Sequence, residues 1–186
     1  MSVELSPIIA GVMNWGVWDK NLNTNEFTHL INLFIENGIT TFDHADIYGG
    51  YTTEASFGKA LSGSKIDRKK IQLITKCGIQ YISENRPNNS IKHYEYSKDY
   101  IIWSAENSLK NLQTDYLDVF LLHRPSPLMQ ADEIAEAVSK LKADGKILSF
   151  GVSNFTSSQT ELLRQKTEIS FNQVQFSATH HEAMLD

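Results

Sequence analysis

The chain has 186 residues, a 41% hydrophobic and 21% charged composition, and a formal net charge of −5. This length suits a single domain over residues 1–186 with a substantial core. The acidic balance disfavours nucleic acid or an anionic membrane surface as a partner. One cysteine, Cys77, excludes an internal disulfide and suits a reducing compartment. With no signal peptide and no apolar run of spanning length, we expect a cytoplasmic protein that does not insert into membranes.

Strand and helix patterns alternate along the chain. In chain order, strands are predicted at about residues 7–11, 39–42, 71–76, 117–123, 147–153 and 172–176. The intervening helices are predicted at NEFTHLINLFIENG, ending at Gly38, then TEASFGKAL, SKDYIIWSAENSLKNLQ with Ser97 as N-cap, ADEIAEAVSKLKADG, ending at Gly145, and TSSQTELLRQK. The polar stretch 78–96 predicts one long irregular surface loop.

This alternation predicts parallel βαβ units, which fit either an open doubly wound sheet or a (β/α)8 TIM barrel. Polar residues follow four different strands: Asp43, Lys76, His123 and the pair Ser153–Asn154. Only in a barrel do these strand ends surround one mouth. The first strand–helix turn, GVMNWG, also lacks a nucleotide-binding glycine pattern. The sequence therefore favours a barrel.

The strand count is six, whereas a full barrel takes about 250 residues. Six parallel strands left open would expose two sheet edges. We therefore expect either the first two-thirds of a longer fold or a chain that needs a partner to close.

Five motifs in order, TTFDHADIYGG, LITKCGI, DVFLLHRPSP, GVSNF and NQVQFS, resemble the successive signatures of the aldo-keto reductases. The stretches DHADIYGGY and HRPSPLM are similar to a bacterial oxidoreductase subgroup of that family. The resemblance implies a TIM barrel of the aldo-keto reductase type with about six βα units present. It also implies reduction of an aldehyde or ketone by hydride from NADPH, with a small carbonyl compound as substrate.

The resemblance assigns four catalytic residues. It implies that Tyr48 is the proton donor, that Lys76 lies beside the phenol, that Asp43 pairs with the lysine, and that His123 orients the carbonyl. A phenol has a pKa of about 10, so we expect the Lys76 ammonium to lower it. A shift of about 3 pKa units would need roughly 4 kcal/mol.

The resemblance also implies which residues contact the cofactor. Ser153, Asn154 and Gln173 would bind the nicotinamide carboxamide, and Asp43 would touch its ribose. The first strand–helix turn would contribute Gly11, Val12 and Met13. In the family, the pyrophosphate and adenosine contacts come from the last two strands. We therefore expect residues 1–186 alone to bind NADPH weakly and to be oligomeric or loosely ordered; the native oligomeric state stays open.

Several other residues have simpler explanations. We expect His44 and Asp46 to support the Tyr48 loop, and Cys77 to face the core. His180 and His181 are expected to be solvated or to make loop contacts. Trp15 would flank the substrate or cover the barrel rim.

Two other functions stay open from the sequence. One is a cofactor-binding regulatory subunit, or an inactive fragment with the reductase fold. The other is a metal-dependent lyase or hydrolase using His44, Asp46 and His123, although we expect no metal site.

Overall fold

A computed structural model describes residues 3–181 of the chain. The elements are β1 (Ile9–Gly11), α1 (Thr24–Glu36), β2 (Thr41–Asp43), the short α2 (Tyr48–Tyr51), α3 (Thr53–Ser62), a 3₁₀ turn (Arg68–Lys70), β3 (Gln72–Cys77), β4 (Ile79–Gln80), β5 (His93–Tyr94), α4 (Lys98–Leu112), β6 (Leu117–Leu122), α5 (Ala131–Ala143), β7 (Ile147–Ser153), α6 (Ser157–Arg164) and β8 (Phe171–Gln173). Six strands form one parallel sheet in the order β1-β2-β3-β6-β7-β8. The predicted α/β architecture is confirmed, as a curled part of a barrel.

The sheet has two differently covered faces. Its outer face packs against the helices and forms the main core, in which Phe42, Phe120 and Phe150 are fully buried. Its inner face carries a small apolar cluster of Ile74, Val119 and Leu121, partly covered by Val3, Leu5 and Phe171. Since side chains alternate along a strand, the polar strand-end residues two positions further on share this inner face.

The helix boundaries follow the predicted signals. Ser97 caps α4 by accepting a hydrogen bond from the Tyr100 N–H. Gly38 and Gly145 follow α1 and α5 with φ of 77° and 69°, the left-handed conformation that glycine adopts readily. These predictions are confirmed.

The prediction of an irregular loop over residues 78–96 is partly wrong. Strands β4 and β5 pair antiparallel, with Ile79 opposite Tyr94, and Ile79 and Tyr96 are buried. Gly78 makes the turn possible, because its φ is 112° and a Cβ there would lie 2.0 Å from the Tyr96 ring. A two-residue strand is too short for its pattern to be recognised in sequence. We call residues 79–94 the hairpin.

The bounds of every predicted strand but β7 differ from the prediction. β1 and β2 begin later than expected, at Ile9 and Thr41, and β8 spans Phe171–Gln173. β3 and β6 differ by one residue at their ends. Strand ends are the least regular part of an element, so differences of this size are ordinary.

Candidate active site

The structure brings Asp43, Tyr48, Lys76 and His123 together at the carboxyl ends of the strands. Asp43 ends β2, Lys76 lies near the end of β3 and His123 directly follows β6. Tyr48 begins α2, where Gly49 and Gly50 take positive φ and turn the chain tightly. All four residues are at most 9% exposed.

The Lys76 ammonium is the centre of the hydrogen bonding. Its Nζ donates to both Asp43 carboxylate oxygens, at 2.7 and 2.8 Å, and to the His44 carbonyl oxygen at 2.9 Å. It also lies 3.3 Å from the Tyr48 hydroxyl oxygen. Burial lowers the pKa of Lys76, and the Asp43 carboxylate opposes that effect. Lys76 and Asp43 thus form a buried ion pair of opposite charges, and the Tyr48 hydroxyl lies within hydrogen-bond distance of the ammonium.

The pKa of the Tyr48 phenol differs from the lowered value expected from the sequence. Burial, and after it the Asp43 carboxylate, raise the pKa of Tyr48 above the usual value of a tyrosine. The expected lowering by Lys76 is not found, because the ammonium is already paired with both Asp43 oxygens and adds little net positive charge at the phenol. Tyr48 is therefore a protonated hydroxyl at neutral pH.

His123 is a neutral imidazole next to that hydroxyl. Its ring centroid lies 6.1 Å from the Tyr48 centroid, in an edge-to-face arrangement. Burial and the charges of Lys76 and Arg124 lower the pKa of His123 to about 3. Within residues 3–181 its buried Nδ1 has no hydrogen-bond partner.

An aromatic wall adjoins the phenol. The Trp18 ring lies 6.2 Å from the Tyr48 ring and 6.2 Å from the Tyr81 ring of the hairpin. Tyr81 in turn stacks on Tyr51 at 5.2 Å. Trp18 is 45% exposed, so it presents apolar surface at the mouth.

The sequence prediction for Trp15 is wrong. Its ring is 7% exposed and packs among Phe27, Phe34 and Phe57, so it neither flanks a substrate nor covers the rim. The two tryptophans lie three residues apart in NWGVWDK, and only the loop conformation decides which of them is buried. No sequence signal marked Trp18 as the one at the site.

The positions predicted to contact a cofactor lie at the ends of β1, β7 and β8. The Asn154 amide donates to Ser153 Oγ at 2.8 Å, and its backbone N–H donates to the Gln173 carbonyl at 2.9 Å. In the described part of the chain, the Gln173 side-chain amide makes no hydrogen bond, which leaves a donor and an acceptor available. This set fits a carboxamide, which also carries one donor group and one acceptor.

In the first strand–helix turn, only some of the predicted residues are accessible to a cofactor. Gly11 and Met13 are exposed, and a Cβ built on Gly11 meets nothing within 4 Å. Val12 is fully buried in the main core, and its N–H donates to the Asp43 carbonyl at 3.1 Å. Its side chain therefore faces the helices rather than the mouth.

His44, Asp46 and Cys77 lie on the helix side of the sheet. The His44 ring is edge-on to Phe57 with centroids 4.4 Å apart, and burial lowers its pKa to about 3. Cys77 is a buried core residue, as expected. Among residues 3–181, no group of three histidine, cysteine, aspartate or glutamate side chains could hold a metal ion.

The end of the described chain makes only local contacts. His180 and His181 are exposed, and His180 bonds to Ser177 in an isolated bridge. Over the same described range, none of the helices has the length and apolar character needed to cross a bilayer.

The comparisons with known proteins identify the family. A model of the aldo/keto reductase family matches residues 7–185. The chain belongs to the aldo/keto reductase family. The fold inferred from the motifs is thereby confirmed at family level.

Individual relatives agree with this assignment. The chain is 46% identical to the uncharacterized oxidoreductase YcsN of Bacillus subtilis and 44% identical to the oxidoreductase YdhF of Escherichia coli. It covers 61% of each of these proteins, matched over 99% and 98% of its own length. The glycerol dehydrogenase AKR11B4 of Gluconobacter oxydans superposes with a TM-score of 0.85 at 26% identity, over 98% of this chain and 55% of that one.

Proposed function

We propose that the protein carrying this chain is an NADPH-dependent oxidoreductase that reduces aldehydes or ketones to alcohols, with Tyr48 as the proton donor. The observation that carries the proposal is the hydrogen-bonded series Asp43–Lys76–Tyr48 beside a neutral His123. The names of the relatives, all oxidoreductases or reductases, support the reaction class.

The chemistry needs a proton at the substrate oxygen. When bound, the reduced nicotinamide supplies a hydride to the carbonyl carbon. Tyr48 Oη then gives its proton to the oxygen, and the resulting phenolate accepts the hydrogen bond from Lys76 Nζ. A raised phenol pKa keeps the donor protonated beforehand. The hydrogen bond from Lys76 Nζ holds the Tyr48 oxygen in place while negative charge develops on it.

The other residues orient the reactants. Neutral His123 donates a hydrogen bond to the carbonyl oxygen from one ring nitrogen, without the competing charge of an imidazolium. Ser153, Asn154 and Gln173 would hold the nicotinamide carboxamide, with Asp43, Gly11, the Val12 backbone and Met13 bordering the ribose and ring. The preference for NADPH over NADH rests on the family resemblance.

The substrate is proposed to be a small carbonyl compound, consistent with the 6-dehydroglucose reductase of Agrobacterium fabrum, to which the chain is 38% identical over 94% of its length and 59% of that protein. A single domain and a cytoplasmic location complete the proposal. Neither nucleic acid nor a membrane surface is proposed as a partner.

The test is a turnover assay of the intact protein with a panel of aliphatic, aromatic and sugar aldehydes. We expect alcohol formation equal to NADPH oxidation, and the same rate after chelator treatment. Tight NADPH binding without turnover of any aldehyde would instead indicate a regulatory subunit. Loss of activity on chelation would indicate a metal-dependent enzyme.

A further inference from the structure

A chain of buried hydrogen bonds runs behind the candidate active site. Tyr100 Oη and Ser104 Oγ, both on α4, donate to Asp46 Oδ2 at 3.2 and 3.3 Å. The Gln80 side-chain amide donates to Tyr100 Oη. Asn89 then donates to Gln80 Oε1 at 3.0 Å. Tyr100 thus connects Asp46 with Gln80 of the hairpin.

Two members of this chain, Asp46 and Gln80, adjoin residues of the site. Asp46 precedes Tyr48 by two residues, and its N–H donates to the Lys76 carbonyl at 3.0 Å. Gln80 is followed by Tyr81, which stacks on Tyr51 and contacts Trp18. The chain therefore joins the segment that carries the phenol to the segment that carries part of the aromatic wall.

Asp46 itself is a costly residue to bury. It is 4% exposed, and within the described residues its Oδ1 has no hydrogen-bond partner. Burial, and after it the nearby Glu54 carboxylate, raise the pKa of Asp46 to about 8. Burying a carboxyl group costs more free energy than burying an apolar side chain at the same position, so we infer that Asp46 has a role beyond packing.

The groups that interact electrostatically with Asp46 come from every element around it. They are Tyr48 and Tyr51 of α2, Glu54 of α3, Lys76 and Cys77 of β3, Tyr81 of the hairpin, and Tyr96 and Tyr100 before and in α4. Among them, Glu54 and Lys76 carry charge. Glu54 accepts a hydrogen bond from Thr75 of β3 at 2.6 Å and lies 3.4 Å from the Asn111 amide of α4, which fixes its position between these two elements.

Building on the proposed function, we propose that Asp46 is a positioning residue for Tyr48. Asp46 acts in its protonated form and links the proton donor to the hairpin through Tyr100, Gln80 and Asn89. Asp46 touches neither substrate nor cofactor. Its ionisation would weaken the reaction in two ways. A buried carboxylate beside Glu54 draws water into the loop, and its negative charge raises the pKa of Tyr48, making the phenol a weaker acid.

The first experiment separates the charge from the packing. Asp46→Asn resembles the protonated acid, so the intact enzyme should keep wild-type kcat/KM near neutral pH. Wild type should lose about 10-fold in kcat/KM by about pH 9, the loss expected for a group of pKa about 8 that is active only when protonated. Asp46→Asn should stay flat over that range. Glu54→Gln removes the carboxylate that raises the pKa of Asp46, so it should keep the alkaline decline but move it to lower pH. Identical alkaline limbs in wild type and Asp46→Asn would overturn the proposal.

The second experiment breaks the chain at its middle. Tyr100→Phe removes the hydroxyl that serves both Asp46 and Gln80, and should lower kcat by about 10- to 100-fold, as expected for a misplaced catalytic group. Tyr116→Phe, at the opposite end of the barrel, is the matched control and should leave kcat unchanged. Wild-type kcat in Tyr100→Phe would contradict the coupling.

A third readout does not need turnover. In ligand-free intact protein, Tyr100→Phe should raise amide hydrogen exchange in residues 44–51 and in the hairpin together, relative to Tyr116→Phe. If the protein reduces no carbonyl compound, the proposed function fails, and this exchange measurement still decides whether the two segments are coupled. Increased exchange in one segment alone, or in neither, would reject the link.

Discussion

The Asp43–Lys76 pair gives the most quantitative prediction. Lys76→Met removes an ammonium that is 2% exposed and makes its two shortest bonds to one carboxylate. Since this leaves a buried carboxylate without its cation, we expect the free energy of unfolding to fall by about 3–5 kcal/mol. Asp43→Asn should cost a similar amount, because the ammonium then loses its partner.

A double-mutant cycle isolates the interaction. The variant carrying Asp43→Asn and Lys76→Met has no uncompensated charge, so its loss of stability in urea titrations should be at least about 2 kcal/mol smaller than the sum of the two single losses. Lys98–Glu136, at the same N–O distance of 2.7 Å but with side chains 41% and 62% exposed, is the control pair. Its cycle should give about 1 kcal/mol or less. Additivity within about 0.5 kcal/mol at Asp43–Lys76 would refute the reasoning.

Three further predictions concern other parts of the molecule. Because the pKa of Asp46 is raised from 3.8 to about 8, the folded state holds a proton there that the unfolded chain releases, so the contribution of Asp46 to stability is lost as pH rises from about 4 to about 8. In urea titrations the stability of wild type relative to Asp46→Asn should therefore fall over this range, and a pH-independent difference between the two proteins would contradict it. Gly58→Ala would place a Cβ 2.1 Å from the Asn111 carbonyl oxygen and push α3 away from α4. We expect this to lower stability by about 1–3 kcal/mol in thermal melts. An unchanged Tm would show that α3 and α4 can separate without cost. Since the pKa of His123 is lowered to about 3, its NMR signals should not titrate between about pH 5 and 8. A titration midpoint near 6.5, the usual value for histidine, would contradict this prediction.

The sequence predicted the secondary structure well where its signals were local. The spacing of apolar residues, the Ser97 cap and the glycines after α1 and α5 act within a few residues of the chain, so they can be recognised without tertiary context. The gathering of Asp43, Lys76 and His123 followed from topology alone, because parallel strands bring their carboxyl ends together.

Features that depend on long-range packing were not predictable in the same way. Burial of Trp15 depends on its packing against Phe27 of α1 and Phe57 of α3, side chains that lie outside the NWGVWDK segment. The hairpin strands are two residues long and are fixed by the packing of Tyr96 over Gly78. The raised pKa of Tyr48 required knowing that Asp43 already neutralises Lys76, which only the geometry reveals.

The proposed function depends on the Tyr48 hydroxyl supplying the proton in carbonyl reduction. The most direct measurement is the single-turnover rate of aldehyde reduction by intact Tyr48→Phe with saturating NADPH. The variant keeps the ring between Trp18 and His123 and loses only Oη. We expect a fall of at least about 100-fold with unchanged NADPH affinity. A rate near that of wild type, under conditions in which the chemical step is rate-limiting, would contradict it.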